Sequence, residues 1–379
     1  MKKKVIRIST VPGTINGLLQ GQLRMLSSNY NVIAISSPGK ELKEIAIREN
    51  VRTIPIAMER RISFIKDIIS LFRLIFVFHK EKPWMVHSIT PKAGLLSMIA
   101  AWICKVPVRI HTFTGLVFPT AQGILKKILI LTDKLTCFCA THINPEGKGV
   151  MNDLKKYQIT AKPMFLIANG NINGVDINYY SRTQEIEKQS LNLKYDGYTT
   201  FCFIGRIVKD KGIHELLTAF CNIHSQNKLI KLYILGRFEE QDAINEADKE
   251  IILKHKDIHY VGYQKNIRPY LCASDILVLP SYREGFPNVV LQAGAMGVPT
   301  IVTDINGCNE IIQHSINGLI VPPKDSNALS NAMLSFIESP EQIHLMRPAC
   351  IQRVYQLYRT ELIWEALLNK YKELEYISK

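Results

Sequence analysis

Short apolar runs alternate along this chain with longer stretches whose apolar positions recur at helical spacing. In the first half, runs at residues 4–8, 32–36, 85–88, 108–112, 141–143 and 164–167 predict buried strands. A turn-rich stretch, Asn169-Gly170-Asn171-Ile172-Asn173-Gly174-Val175-Asp176, closes that half. A polar, poorly periodic segment at 181–198 follows and reads as a linker. The strand pattern then restarts at 199–204, 231–235, 258–261, 276–279, 300–302 and 318–321. Residues 360–379 close the chain as one amphipathic helix, with Leu362, Ile363, Ala366, Leu367, Tyr371 and Leu374 at helical spacing. Strands alternating with helices imply parallel sheets with crossover helices. The expectation is an α/β chain of two doubly wound domains facing a cleft, 1–180 and 199–359, joined by 181–198. The helix at 360–379 is set apart from both.

At 379 residues the chain suits two α/β domains rather than one. Its 47% hydrophobic and 21% charged residues describe a folded protein. The eight cysteines are scattered, and the absence of paired Cys-x-x-Cys motifs argues against a disulfide framework or a zinc site. Reduced thiols and a cytoplasmic location are expected. The N-terminus, MKKKVIRISTVPG, has too short an apolar stretch for a cleavable signal and reads as a first buried strand.

Charge separates the halves. Residues 1–190 hold 27 basic and 12 acidic side chains, a net of +15, while the remainder is close to neutral at −1. Only the first half is therefore suited to an anionic surface. Within it, residues 59–82 interleave Arg60, Arg61, Lys66, Arg73, Lys80 and Lys82 with isoleucines, leucines and phenylalanines. Lys66, Asp67 and Arg73 interrupt every candidate span, which excludes a transmembrane helix of about 20 apolar residues. A helix lying in the interface of an anionic membrane fits the pattern. A core-facing helix with a solvated basic face fits it as well. Nucleic acid is not expected, because no zinc-finger, helix-turn-helix or aromatic RNA-binding signature accompanies the charge.

Two loops carry chemistry. In SYREGFPNVVLQAGAMGVPTIVTDINGCN (281–309), Glu284 sits in a loop between a strand and a short helix. Asn288 is read as the N-cap of that helix, with Gly297 and Pro299 ending it. In FCFIGRIVKDKGIHELLTAF (201–220), a strand ends at Gly205, and Arg206 and Lys211 precede a helix beginning near Ile213. A guanidinium and an ammonium beside helix-terminal amides form an anion site. A solvated turn would carry the same two cations. The Glu284 loop, about 80 residues on, favours the functional reading. No Gly-x(4)-Gly-Lys-[Ser/Thr] and no fingerprint of a dinucleotide site follows the first strand. No Asp-x-Asp is present to hold a metal on a nucleotide diphosphate. His255 and His259 have i,i+4 spacing, but His259 enters a strand, and no metal site is expected there.

The pattern E-G-F-P-x(4)-Q-A-x-A-x-G-x-P resembles the Glu-x7-Glu motif of retaining, nucleotide-sugar-dependent glycosyltransferases of the family 4 type, with Gln292 where the second Glu usually stands. G-R-x(4)-K-G at 205–212 is similar to the diphosphate loop of that family. Residues 87–94, 107–115 and 169–176 also resemble it, as do Gly262, Tyr270, Ala273-Ser274-Asp275 and Pro280-Ser281. The resemblance implies the GT-B fold, two Rossmann-like domains with the C-terminal helix crossing back to the first domain. It implies a metal-independent donor site and no cofactor. Arg206 and Lys211 would neutralise the donor diphosphate, and Glu284 would contact the donor sugar. Gly205 and the backbone around Gly285, Phe286, Asn288 and Val289 would line the donor, with Gln292 on the ribose. Gly13 would lie on the acceptor or sugar side, with His111 or Thr114 near the transferred sugar; the residues leave that last choice open.

What the resemblance implies is sugar transfer, with retention, from a nucleotide-sugar, most simply UDP-linked, to a lipid-diphosphate-linked glycan in surface polysaccharide synthesis. The enzyme would work on the inner face of the plasma membrane, and the basic half would meet that surface. Two alternatives share parts of the evidence: a nucleotide-sugar epimerase of the same fold, and a non-catalytic polybasic membrane adaptor.

Overall fold

A strand covered by helices on both faces is a nearly continuous apolar run, and the first strand, β1 (Lys4–Ile8), leaves Val5, Ile6 and Ile8 with no exposed surface, with Arg7 as its buried polar exception. The computed structural model describes residues 2–59, 63–240 and 242–378. Arg60 and Arg61, expected to contribute to a basic helix, lie outside them. The chain divides into two compact units, residues 1–173 with 361–379, and residues 174–360.

In the first unit, β1 leads through α1 (Pro12–Leu18) and α2 (Gln22–Ser27) to β2 (Asn31–Ser36), then through α3 (Lys40–Glu49) to β3 (Arg52–Pro55). α4 (Phe64–Glu81), β4 (Met85–Ile89), α5 (Pro91–Ile103) and β5 (Val108–Phe113) follow. α6 (Gly123–Cys139), β6 (His142–Pro145) and α7 (Lys148–Lys156) complete the sequence. Among the described residues the sheet has six parallel strands in the order β3-β2-β1-β4-β5-β6. α5 touches α4 on one side and α6 on the other, so the three form one helical layer.

The second unit opens with α8 (Gln184–Leu191), β7 (Thr199–Ile204), α9 (Ile213–Gln226), β8 (Ile230–Leu235), α10 (Glu246–Lys254) and β9 (Ile258–Gly262). α11 (Arg268–Ala273), β10 (Ile276–Leu279), α12 (Asn288–Ala295), β11 (Thr300–Thr303), α13 (Cys308–Ile311) and β12 (Gly318–Val321) come next. α14 (Ser326–Glu338) and α15 (Glu341–Leu357) end it. Its strands run β12-β11-β10-β7-β8-β9, again six in parallel among the described residues. Both orders are that of a Rossmann sheet, in which the chain winds outward one way and then restarts beside its first strand.

Three expectations change. Residues 164–167 are not a strand: Met164 makes one parallel bridge to Ile143, Pro163 supplies no N–H, and Ala168 at φ +48° turns the chain away. β3 escaped notice because it is a four-residue edge strand, exposed at Arg52 and ending in Pro55. Residues 181–198 carry α8, capped by the Thr183 side chain accepting from the Ile186 N–H, and α8 packs on α11 in the second unit. Its single apolar stripe, anchored by the buried Ile186, is too short for periodicity to reveal.

The last helix, α16 (Thr360–Ile377), belongs to the first unit from Glu361 onward. Ile363, Leu367, Tyr371 and Leu374 are buried there with Val5, Leu19, Val32 and Val108. Tyr371 also closes a polar chain in this core. The fully buried Arg7 donates from Nη1 to the Tyr371 hydroxyl at 3.1 Å and to Gln22 Oε1 at 2.9 Å. A guanidinium only donates, so the hydroxyl proton is free to go to His87 Nδ1, 2.6 Å away. His87 Nε2 then donates to Thr112 Oγ1 at 2.7 Å. That arrangement requires a neutral imidazole. Burial, then Arg7 and His111, hold the His87 pKa well below its ordinary value.

His111, 2% exposed on β5, is likewise pushed down by burial to about 3. Below pH 6.5 the unfolded chain binds a proton that the folded unit refuses, so this group removes stability as pH falls from 6.5 toward about 3. The slope approaches about 1.4 kcal/mol per pH unit. Trp84, Trp102 and Trp364 all lie in the first unit, so tryptophan fluorescence follows its unfolding selectively. Denaturant titrations between about pH 7.5 and 4.5, the range in which a free imidazole titrates, should show a smaller acid-induced loss in His111→Gln than in the native chain. Equal losses would contradict a neutral buried His111.

Candidate active site

In the second unit the strand order reverses between β7 and β10, and the loops leaving their C-terminal ends diverge around that point. Such a switch point is where open α/β sheets receive ligands. The loop after β7 starts at Gly205, whose N–H donates to the Leu235 carbonyl at 2.9 Å. It tightens into a 3₁₀ turn at Lys209–Lys211 and enters α9 through Gly212. Gly212 has φ +66°, and a Cβ there would come within 2.0 Å of the Pro280 carbonyl oxygen. Only glycine lets the two loops approach this closely.

Consecutive residues of the two loops then pair. The Tyr282 N–H donates to the Asp210 carbonyl at 2.8 Å. Arg283 Nε donates to the Asp210 carboxylate at 2.5 Å. One residue on, the Lys211 ammonium pairs with the Glu284 carboxylate, with the two side chains 16% and 13% exposed. Asp210 is fixed from behind by its own N–H, which donates to Asp242 Oδ2 at 2.9 Å. The Tyr282 hydroxyl donates to Glu215 at 2.6 Å; burial first, and then Glu215, push its pKa up. Arg206, half exposed, donates from Nη1 to Glu239 at 2.9 Å. The structure thus joins Lys211 to Glu284 directly and gives Arg206 a different carboxylate.

α12 begins at Asn288, and Pro287, not Asn288, is its N-cap. The shift of one residue follows from Pro287 being held at φ −72° and ψ 107°, an extended conformation in which its carbonyl can start the helix. Phe286 is buried against the Tyr358 ring, centroids 5.4 Å apart, and this anchors the loop. Gly285 meets Gly307, whose φ is +76° and whose missing Cβ would lie 2.3 Å from the Gly285 carbonyl oxygen. Beyond Gly307, Cys308 is fully buried. Burial raises its thiol well above the ordinary value, and Glu284 adds to this while Lys211 opposes it. Val289 and Gln292 stand half-buried on α12.

The remaining candidates lie in the first unit. Gly13 is exposed in the first turn of α1, with Pro12 opening the helix. Thr114 is half-buried just past the end of β5. The His111 ring is inside, its Nδ1 2.8 Å from Ser88 Oγ.

This geometry offers an anion two cations, and the amides at the start of α9 and α12, at one sheet end. Among the described residues no group of three His, Cys, Asp or Glu side chains is placed to hold a metal ion. Sequence reading missed Asp210, Arg283, Glu239 and Gly307. The adjacent opposite charges Asp210-Lys211 and Arg283-Glu284 were a usable signal, because they pair in parallel register. Glu239 and Gly307 had none, since their roles depend on loops that meet only in the folded sheet.

Comparison with known proteins accounts for both units. Residues 198–339 match the family model "Glycosyl transferases group 1", and residues 14–139 match "Glycosyl transferase 4-like". The chain is 32% identical over 372 residues to the capsular polysaccharide biosynthesis glycosyltransferase CapM of Staphylococcus aureus, covering 97% of each chain. It is 27% identical to the Escherichia coli UDP-Gal:alpha-D-GlcNAc-diphosphoundecaprenol alpha-1,3-galactosyltransferase, covering 78% of this chain and 76% of that one. In fold it matches the Anabaena protein Alr3699/HepE crystallised with UDP and glucose, with TM-score 0.83, 16% identity, and 98% and 100% of the two chains covered. The chain has the GT-B fold and belongs to the group 1, family 4 type glycosyltransferases of polysaccharide biosynthesis.

Proposed function

We propose that this glycosyltransferase moves a sugar from a UDP-sugar to a lipid-diphosphate-linked glycan during synthesis of a capsular or other surface polysaccharide, with retention of configuration. The observation that carries the reading is the Lys211–Glu284 pair at the switch point of the second sheet, with Arg206 on the same loop. Its support from relatives is the naming of a capsular enzyme and of an enzyme using a diphosphoundecaprenol acceptor. A third relative, 27% identical over 67% of this chain, is the Campylobacter jejuni N,N'-diacetylbacillosaminyl-diphospho-undecaprenol alpha-1,3-N-acetylgalactosaminyltransferase. The donor is read as a UDP-sugar because one relative names UDP-Gal and the fold neighbour was crystallised with UDP.

Without donor, Lys211 and Glu284 neutralise each other. An arriving diphosphate competes for the ammonium and releases the carboxylate to accept hydrogen bonds from sugar hydroxyls. Arg206 exchanges Glu239 for a phosphate oxygen in the same way. The amides opening α9 and α12 meet the remaining charge, except at Pro287, which has no N–H. The acceptor hydroxyl forms the new bond to the anomeric carbon on the face from which the diphosphate departs. The bond between that carbon and the phosphate oxygen breaks, its electron pair leaves with the oxygen, and the hydroxyl proton follows to it. Lys211 and Arg206 stabilise the growing negative charge on the leaving group. Gln292 accepts a ribose hydroxyl through its amide oxygen, a neutral bond in place of a charged one. The acceptor, carried on a lipid, meets the first unit at an anionic membrane, on the inner face of the plasma membrane. No metal or cofactor takes part in this scheme.

Lys211→Ala and Arg206→Ala should each remove about 1.5–3 kcal/mol of interaction with the diphosphate, roughly 10- to 150-fold in kcat/KM. Wild-type rates in both variants would eliminate the clamp. Glu284→Gln should depress kcat far more than Gln292→Ala, which should act mainly on donor KM; the opposite ranking would exchange the two roles.

Transfer should also persist in EDTA. Complete loss that magnesium or manganese restores would show that the two cations do not suffice for the diphosphate.

A further inference from the structure

The layer α4–α5–α6 leaves an apolar surface without a cover. On α4, Phe64, Ile65, Ile68, Ile69, Phe72 and Phe76 are between 46% and 80% exposed. At the 100° per residue of an α-helix they occupy an arc of about 140°, and Lys66, Arg73 and Lys80 form a strip beside it about 40° wide. The opposite side of α4 buries Ser70, Leu74 and Phe78. α6 repeats the design. Ile124, Leu125, Ile128, Leu131, Leu135 and Phe138 are 41% to 77% exposed and again span about 140°, with Lys127 and Lys134 along one border. Between the helices, α5 ends in exposed Trp102, whose ring lies 6.1 Å from that of Phe138.

We propose that this face of the first unit lies on an anionic lipid bilayer, with the apolar arcs of α4 and α6 entering the headgroup boundary and the lysine and arginine strips resting on lipid phosphates. The charge pattern selects this occupant. A second copy of the chain would set like-charged strips against each other, whereas an anionic surface complements them. Among the described residues no helix is long and apolar enough to cross a membrane, and two parallel amphipathic arcs on packed helices suit attachment in the plane of the interface. Trp102 stands where an amphipathic ring is favoured. The inference rests on the lipid-linked acceptor only for its purpose, since docking itself requires neither donor nor acceptor.

The intact chain should therefore sediment with vesicles containing roughly 30% anionic lipid. At about 1 M salt, where exposed charges are screened beyond a few ångströms, a reduced but measurable fraction should remain bound. Phe72→Gln with Leu131→Gln should lower the partition coefficient about tenfold or more and abolish the salt-resistant fraction. Lys127→Glu with Lys134→Glu should weaken low-salt binding and spare the salt-resistant fraction. All four positions are exposed, and tryptophan fluorescence checks that each variant unfolds like the native chain. No sedimentation at either salt, or binding that vanishes entirely at high salt, overturns the insertion. So does a self-association that Phe72→Gln with Leu131→Gln dissolves. Sugar transfer to a water-soluble acceptor analogue, measured in parallel, separates the two readings: its loss in the native chain counts against the transferase assignment, and vesicle binding alone decides the docking face.

Discussion

The candidate site of the second unit is built on the contact between the loops after β7 and β10. Two strands at a switch point send their chains in opposite directions, and nothing in a Rossmann sheet obliges the loops to meet. Here they meet because Gly212 lets the first loop lie against Pro280, and because Asp210-Lys211 and Arg283-Glu284 pair in register. Partly buried pairs of this kind add little net stability, since each charge must leave water, yet removing one partner leaves the other stranded. Their value is positional. They hold a cation and a carboxylate at one place.

The first unit uses charge differently. Arg7 lies at the centre of its sheet with no carboxylate among its hydrogen-bond partners, and its Nε and Nη2 find no partner among the described residues. Its proton donors instead order a run of neutral acceptors, Gln22 and Tyr371, and through Tyr371 the ring of His87. Since a half-satisfied buried cation is costly, the contacts it does have bind α16 to β1 and β4 with geometric specificity that the leucines beside them lack.

Most of the sheet architecture was legible because a strand covered on both faces is a nearly continuous apolar run, as 276–279 and 201–204 are. The rule failed where burial was one-sided or brief: β3 is an edge, and 164–167 is apolar but makes a single bridge. The candidate site was legible in its residue types, Arg206, Lys211 and Glu284, and not in its pairing, because Arg206 is met by Glu239 from another loop. The resemblance to a known family supplied the proposed roles, which no local pattern could. The apolar face was half legible. Residues 59–82 showed amphipathic character from their own spacing, but whether a stripe is core or surface depends on its neighbours, and nothing local marked α6 as exposing its own.

The route of the chain has a consequence for how the protein is made. The second unit is one uninterrupted stretch, 174–360, whose entry and exit lie side by side: Val175 bridges Arg359, and the Thr360 N–H donates to the Val175 carbonyl at 3.1 Å. The first unit is split around it, and its core is incomplete until Ile363, Leu367, Tyr371 and Leu374 arrive. On a ribosome, which releases the chain from its N-terminus, the later-encoded unit can therefore close before the earlier one. Until then the first sheet waits with the Arg7 side of its core open, and α16, made only after the whole second unit, decides whether the first unit becomes native.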